Sequence, residues 1–189
     1  MSTYERLVNS QNFFSPYLTQ EDIWRVGQIR NMGIVEGQDL FSDNGWEKVR
    51  LRSEYAIKQW IDKEMKMRSC VVVLIGEETA SRDWVKYEIE HAWKNGKGIV
   101  GIYINKLENS RGEQAQKGKN PFDLFYVDKT INYIAERNNP ADENDIRLSL
   151  VCKTFESSYQ TSKYVYDDIK NNIEKLIEEA IEIRKRYPM

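Results

Sequence analysis

Residues 70–75 read Cys-Val-Val-Val-Leu-Ile and run into Gly76, and residues 98–105 read Gly-Ile-Val-Gly-Ile-Tyr-Ile-Asn. A short apolar run, rich in β-branched residues and stopped by glycine, fits a strand buried on both faces, as in a parallel sheet. Between the two runs, Trp84, Val85, Ile89, Ala92 and Trp93 recur at helical spacing over 84–95. Ser81 is the expected N-cap of that helix and Gly96 the expected residue just past its end. Strand, helix and strand joined by short links make a βαβ unit, and an α/β sandwich around a mainly parallel sheet follows from it.

The flanking segments extend the pattern. Asn12-Phe-Phe-Ser15 suits a weaker first strand, and Glu21–Asn31, with Ile23, Trp24 and Ile29, a short helix. Trp46–Met65 carries Trp46, Val49, Ala56, Ile57, Trp60, Ile61 and Met65 at helical spacing, opened by the cap-forming cluster Ser42-Asp43-Asn44. At the far end, Ile169, Ile173, Leu176, Ile177 and Ala180 form one stripe of a helix over 165–186, whose basic last turn (Arg184, Lys185, Arg186) complements the helix dipole. Residues 106–145 look different. Their loop-forming composition predicts an extended insertion, with Pro121-Phe-Asp-Leu-Phe-Tyr-Val127 packing back onto the body. The 189 residues suit a single domain.

Composition removes several function classes. With 28 basic and 30 acidic side chains, the net charge of −2 lacks the positive excess that nucleic acid requires. One His and two Cys cannot build a histidine zinc site, a cysteine cluster or a disulfide framework. Cys70 and Cys152 sit in apolar segments and are expected to be buried, reduced thiols. The longest apolar run is far below the ~20 residues of a membrane span, and the N-terminus carries no secretory pattern, so a soluble cytoplasmic protein is expected.

In an open parallel sheet the ligand crevice lies beyond the carboxyl ends of the strands. Residues 15–20, 76–83 and the stretch from Asn105 should converge there. Glu88 follows Trp84 by four residues and precedes His91 by three, so the three share a helical face, with Glu88 at the border of the apolar stripe. A half-buried carboxylate beside an aromatic ring suits acid–base or cation-stabilising work. On spacing alone, a solvated carboxylate paired with a neighbouring Lys or Arg accounts for it better. The single histidine, His91, lies near a helix end and reads as a cap or packing residue. Ser15-Pro16-Tyr17 suits either a ligand contact or an ordinary turn. Core packing is the default for all five Trp, Trp46 being the best candidate to stack on a base or ring.

Four stretches resemble the TIR-like domains of bacterial antiphage proteins, the signal-producing TIR proteins of Thoeris defence systems. They are Asp22-Ile-Trp-Arg-Val-Gly-Gln-Ile-Arg-Asn31, Ala56-Ile-Lys-Gln-Trp-Ile-Asp62 ahead of the first apolar run, and Thr79-Ala-Ser-Arg-Asp-Trp-Val-Lys-Tyr-Glu-Ile89, followed by Gly101-Ile-Tyr-Ile-Asn105 with Lys117-Gly-Lys-Asn-Pro-Phe-Asp123. The third is the most specific, being similar to the family's Ser, Trp and Glu at the opening of this helix. The resemblance implies a flavodoxin-like fold and cleavage of the nicotinamide–ribose bond of NAD, with Glu88 as the catalytic carboxylate that engages the ribose. Phe14, Ser15, Tyr17, Trp46 and Trp84 are the expected substrate contacts, the Ser15–Tyr17 loop because it borders the NAD pocket in the family. NAD enters as substrate, and no cofactor or metal is expected. The product would be a cyclic ADP-ribose isomer that activates a separate effector, with a phage-derived trigger and a homo-oligomer as further expected features. Where the family shows Ser-Phe-His-Tyr after its first strand, this chain reads Ser15-Pro16-Tyr17-Leu18. Two other readings stand beside the enzyme. One is a non-catalytic module that signals by homotypic assembly. The other is a response-regulator-like domain, which lacks the acidic pair expected after Phe14.

Overall fold

In a computed structural model of the protein, residues 11–14, 20–30, 32 and 53–189 are described, with side chains at 22–29, 32 and 53–189. Strand β1 (Gln11–Phe14), helix α1 (Gln20–Arg30), helix α2 (Glu54–Met65), strand β2 (Arg68–Ile75), helix α3 (Asp83–Lys94) and strand β3 (Gly98–Tyr103) follow in order. They are followed by β4 (Phe125–Asp128), β5 (Ile134–Glu136), β6 (Asp145–Arg147), β7 (Thr154–Phe155) and helix α4 (Ser162–Arg184). The main sheet runs β1-β2-β3-β7, every pair parallel. Successive residues of β2 divide between two cores, as the two-residue period of a strand requires. Val71, Val73 and Ile75 pack with Ile57 and Ile61 of α2 and Val85 and Ile89 of α3. Cys70, Val72 and Leu74 pack with Val26 and Ile29 of α1 and Val165, Ile169 and Ile173 of α4. The apolar run between Cys70 and Ile75 is therefore continuous because neither face of the strand meets water. This is a flavodoxin-like α/β sandwich. No helix among the described residues is long and apolar enough to cross a membrane.

Several boundaries differ from the sequence reading. Helix α2 opens at Ser53, whose hydroxyl accepts the Ala56 N–H at 3.4 Å, rather than at Trp46. The Ser42-Asp43-Asn44 cluster lies outside the described residues. Ser81 does not cap α3. It belongs to a 3-10 turn, Thr79–Ser81, and its hydroxyl donates to the Glu78 carbonyl at 2.8 Å. The C-terminal expectation holds: Gly96 has φ 68°, its N–H reaches the Trp93 carbonyl at 3.0 Å, and Lys97 N–H reaches Ala92 at 3.0 Å. These two bonds satisfy carbonyls that the helix end would otherwise leave open.

The 106–145 insertion is not simply an extended loop. It carries β4 and β5 and ends where β6 begins, the three forming an antiparallel sheet in the order β5-β4-β6, preceded by a 3-10 turn at Pro121–Leu124. Strands of three or four residues are too short to show a period, which is why the sequence reads as loop. Phe122, Phe125 and Val127 do pack back, into the core shared with α3. Trp24 departs from the core-packing default at 58% exposed, because α1 turns Asp22, Arg25, Val26 and Ile29 inward instead. Trp93 is buried, while Trp60 and Trp84 pack partly against the α3-side core. Both Cys70 and Cys152 are buried free thiols.

Arg184 was expected to serve the dipole of its own helix, yet it closes the end of another. Its guanidinium is 1% exposed, lies 4.4 Å from the Trp93 ring and donates twice to the Trp93 carbonyl, at 3.1 and 2.8 Å. A third bond reaches Asn132 Oδ1 at 3.0 Å. Arg184→Ala is expected to cost about 2–3 kcal/mol, by removing the charge-assisted bonds to the Trp93 carbonyl and Asn132 and the packing over the Trp93 ring. Calorimetry should then show a melting temperature lower by ~4–12 °C. Arg184→Lys should recover less than half, since an ammonium lacks the planar fork.

Candidate active site

β1 and β2 are neighbours, yet the helix that follows β1 packs on one face of the sheet and the helix that follows β2 on the other. The carboxyl ends of these two strands therefore open onto a crevice at the point where the winding reverses. Gly76, at the end of β2, has no room for a side chain, because a Cβ there would fall 2.5 Å from Asp22 Oδ2 on α1. Its N–H donates to Thr79 Oγ1 at 2.9 Å, and that hydroxyl donates to the Leu74 carbonyl at 3.2 Å. The turn from β2 into α3 is thus fixed from both sides.

Helix α3 carries Glu88 down from this turn. Its inward positions are Val85, Glu88, Ile89, Ala92 and Trp93, and Glu88 is 0% exposed. The sequence placed Glu88 at the border of the stripe, and the fold closes over it. A carboxylate removed this far from water costs folding free energy unless its surroundings compensate it. In such a site its field acts on a neighbouring charge with far less screening than at a surface. Trp84, one turn earlier, is half-buried and meets Tyr87 edge-on at 6.2 Å. Of the other expected substrate contacts, Phe14 ends β1, its side chain not among those described, while Ser15, Tyr17 and Trp46 lie outside the described residues.

Asp22 and Arg25 escaped the sequence reading as site residues. Arg25 is 1% exposed and Asp22 6%, and they pair at 3.1 Å. Arg25 also donates from Nε to the Leu107 carbonyl and from an η nitrogen to the Glu113 carbonyl, each at 2.8 Å. Gln28 adds a bond to the Glu108 carbonyl at 2.8 Å. Helix α1 thereby holds the chain that leaves β3 over the carboxyl edge of the sheet. An acid and a base three residues apart at the start of an amphipathic helix is the available signal, but surface pairs share that spacing.

His91 stays out of this crevice. Its Nδ1 lies 3.2 Å from Asp62 Oδ1, which also accepts the Tyr87 hydroxyl at 2.8 Å, and its ring stacks on Tyr87 at 5.7 Å. Burial pushes its pKa below the ordinary 6.5, outweighing the pull of Asp62 in the other direction, and Lys97 and Lys94 push the same way as burial. The unfolded chain therefore takes up this proton at a higher pH than the native protein does. The stabilisation from neutral His91 is complete above about pH 6.5 and is lost as the pH falls from there through the native value. Thermal melts from pH 7 to 5 should show a declining melting temperature that His91→Gln flattens. An equal slope in both proteins would exclude His91 as its source.

Residues 13–109 match the family model of the TIR-like domain of the Thoeris protein ThsB. The chain is also 34% identical over 117 residues to "Putative cyclic ADP-D-ribose synthase ThsB1" of Bacillus cereus (strain MSX-D12), covering 60% of this chain and 61% of the relative. The match thus spans less than two thirds of that protein's length. The family span includes Glu88, Trp84, Asp22 and Arg25 and ends before the small antiparallel sheet.

Proposed function

We propose that this chain, which belongs to the family of Thoeris ThsB TIR-like domains, cleaves NAD at the nicotinamide–ribose bond and releases a cyclic ADP-ribose-type product that acts on a separate effector. The carrying observation is a glutamate, Glu88, held at 0% exposure on the helix that leaves the crevice. Breaking the C1′–N bond sends its electron pair to the pyridinium nitrogen, so nicotinamide departs neutral and positive charge develops on the ribose. A carboxylate already in place, in a site of low dielectric, stabilises that charge without solvent reorganisation. It also accepts hydrogen bonds from the ribose hydroxyls, holding the ring as the bond lengthens. A nucleophilic atom of the same molecule then takes C1′ and closes the ring, whereas water would give linear ADP-ribose. Neither step calls on the one histidine, which is occupied with Asp62.

The test is direct. Purified protein, alone and with lysate of phage-infected cells, is incubated with NAD and the products are separated by chromatography with mass detection. The expected result is nicotinamide in equal amount with a species of the mass of NAD less nicotinamide. If neither incubation releases nicotinamide while the protein is folded, the reading fails and homotypic assembly becomes the better account.

A further inference from the structure

Residues 117–119 form a strap over the carboxyl edge whose charge the surroundings of Glu88 do not explain. Gly118 is buried so tightly against the turn after β2 that a Cβ would fall 1.9 Å from the Gly76 carbonyl oxygen. Lys117 and Lys119 flank it and are both exposed. Lys117 Nζ sits 4.5 Å above the Tyr103 ring and 2.6 Å from Glu156 Oε2. Lys106 reaches the other oxygen of Glu156 at 3.4 Å and donates to the Ser157 carbonyl at 2.7 Å. Two ammonium groups thus share one carboxylate. Asp123 also acts on Tyr103, and among the described residues Lys119 is exposed and makes no ion pair, so its charge stays available to a ligand.

The strap is held at both ends. On one side Arg25 binds the carbonyls of Leu107 and Glu113, and Ala115 N–H donates to the Asn105 carbonyl at 2.9 Å. On the other, Asn120 Oδ1 accepts the Phe122 N–H at 3.0 Å, and Phe122 is fully buried. The lysines are therefore presented from a fixed backbone, which lowers the cost of ordering them on a ligand. Lys117 is 50% exposed. An exposed pair of this kind contributes little, and Glu156 keeps Lys106 if Lys117 swings away.

We propose that Lys117 and Lys119 seat the diphosphate of the dinucleotide, with Gly118 fixing them beside the turn that leads to Glu88. The inference rests on the NAD reading and deepens it. The two lysines lie outside residues 13–109, the span that the family model matches. A diphosphate offers two negative charges where Glu156 offers half of one, and the exchange favours the ligand.

The test uses the full chain with both lysines changed, Lys117→Ala with Lys119→Ala, and the corresponding pair of Arg variants. The Ala pair should raise KM for NAD at least tenfold with kcat within about twofold, and the Arg pair should restore KM. Inorganic pyrophosphate, titrated by calorimetry into wild-type and Ala-pair protein, should bind the first and not the second. That arm needs no turnover, so wild-type binding that the Ala pair loses supports the seat even if NAD is not cleaved. An unchanged KM in the Ala pair, or pyrophosphate bound equally by both proteins or by neither, overturns it.

Discussion

Glu88→Gln is expected to slow nicotinamide release from NAD at least a thousandfold, equivalent to ~4 kcal/mol of transition-state stabilisation, and to leave the fold intact. The amide has the size and shape of the carboxylate, so the packing among Val85, Ile89 and Ala92 should not change. What goes is the charge, and the charge is what answers a ribose turning cationic. Glu88→Asp keeps the charge but withdraws it by one methylene, a misplacement that should cost ~100-fold. His91→Gln should turn over NAD within about twofold of wild type, since His91 sits with Asp62 and Tyr87 outside the crevice. Nicotinamide release measured beside near-ultraviolet circular dichroism separates loss of chemistry from loss of structure. Wild-type rates from folded Glu88→Gln protein would remove Glu88 from the reaction.

How much of this was legible depends on the kind of signal. The strand at Cys70–Ile75 was plain, since burial on both faces leaves an unbroken apolar run, and the α3 stripe was plain from its spacing. The helix after Ser53 was recognised but started too early, because Trp46 and Val49 extend the same spacing upstream and spacing alone does not reveal a cap. The small sheet was missed because three-residue strands such as Ile134–Glu136 carry no period. Spacing alone makes Glu88 a solvated carboxylate at the border of the stripe, whereas it is fully buried, because whether neighbours close over a border residue depends on tertiary packing. Arg25 is the clearest miss. Its partners are main-chain carbonyls 82 and 88 residues further on, and a backbone acceptor leaves no mark in a sequence.

That miss leads to the largest expected effect on stability. Arg25→Ala withdraws a buried cation from Asp22, leaves the Leu107 carbonyl to find another donor and takes one of two donors from the Glu113 carbonyl. Breaking a buried pair on one side costs about 3–5 kcal/mol, or ~6–20 °C in melting temperature for a chain of this size. Arg25→Lys should recover little, because one ammonium cannot span a carboxylate and two carbonyls as a planar fork does. Removing both members, Asp22→Ala with Arg25→Ala, should be less damaging than the sum of the single changes, because residues in direct contact couple. The local effect falls on the chain leaving β3. In hydrogen exchange the amides of Asn109, which donates to the Glu113 carbonyl at 2.9 Å, and of Ala115, which donates to Asn105, should lose protection first. If the variant melts within about 2 °C of wild type and these amides exchange unchanged, Arg25 is not what holds the carboxyl edge together. If they loosen as expected, KM for NAD should rise in step, because the lysines at 117 and 119 hang from the same stretch of backbone.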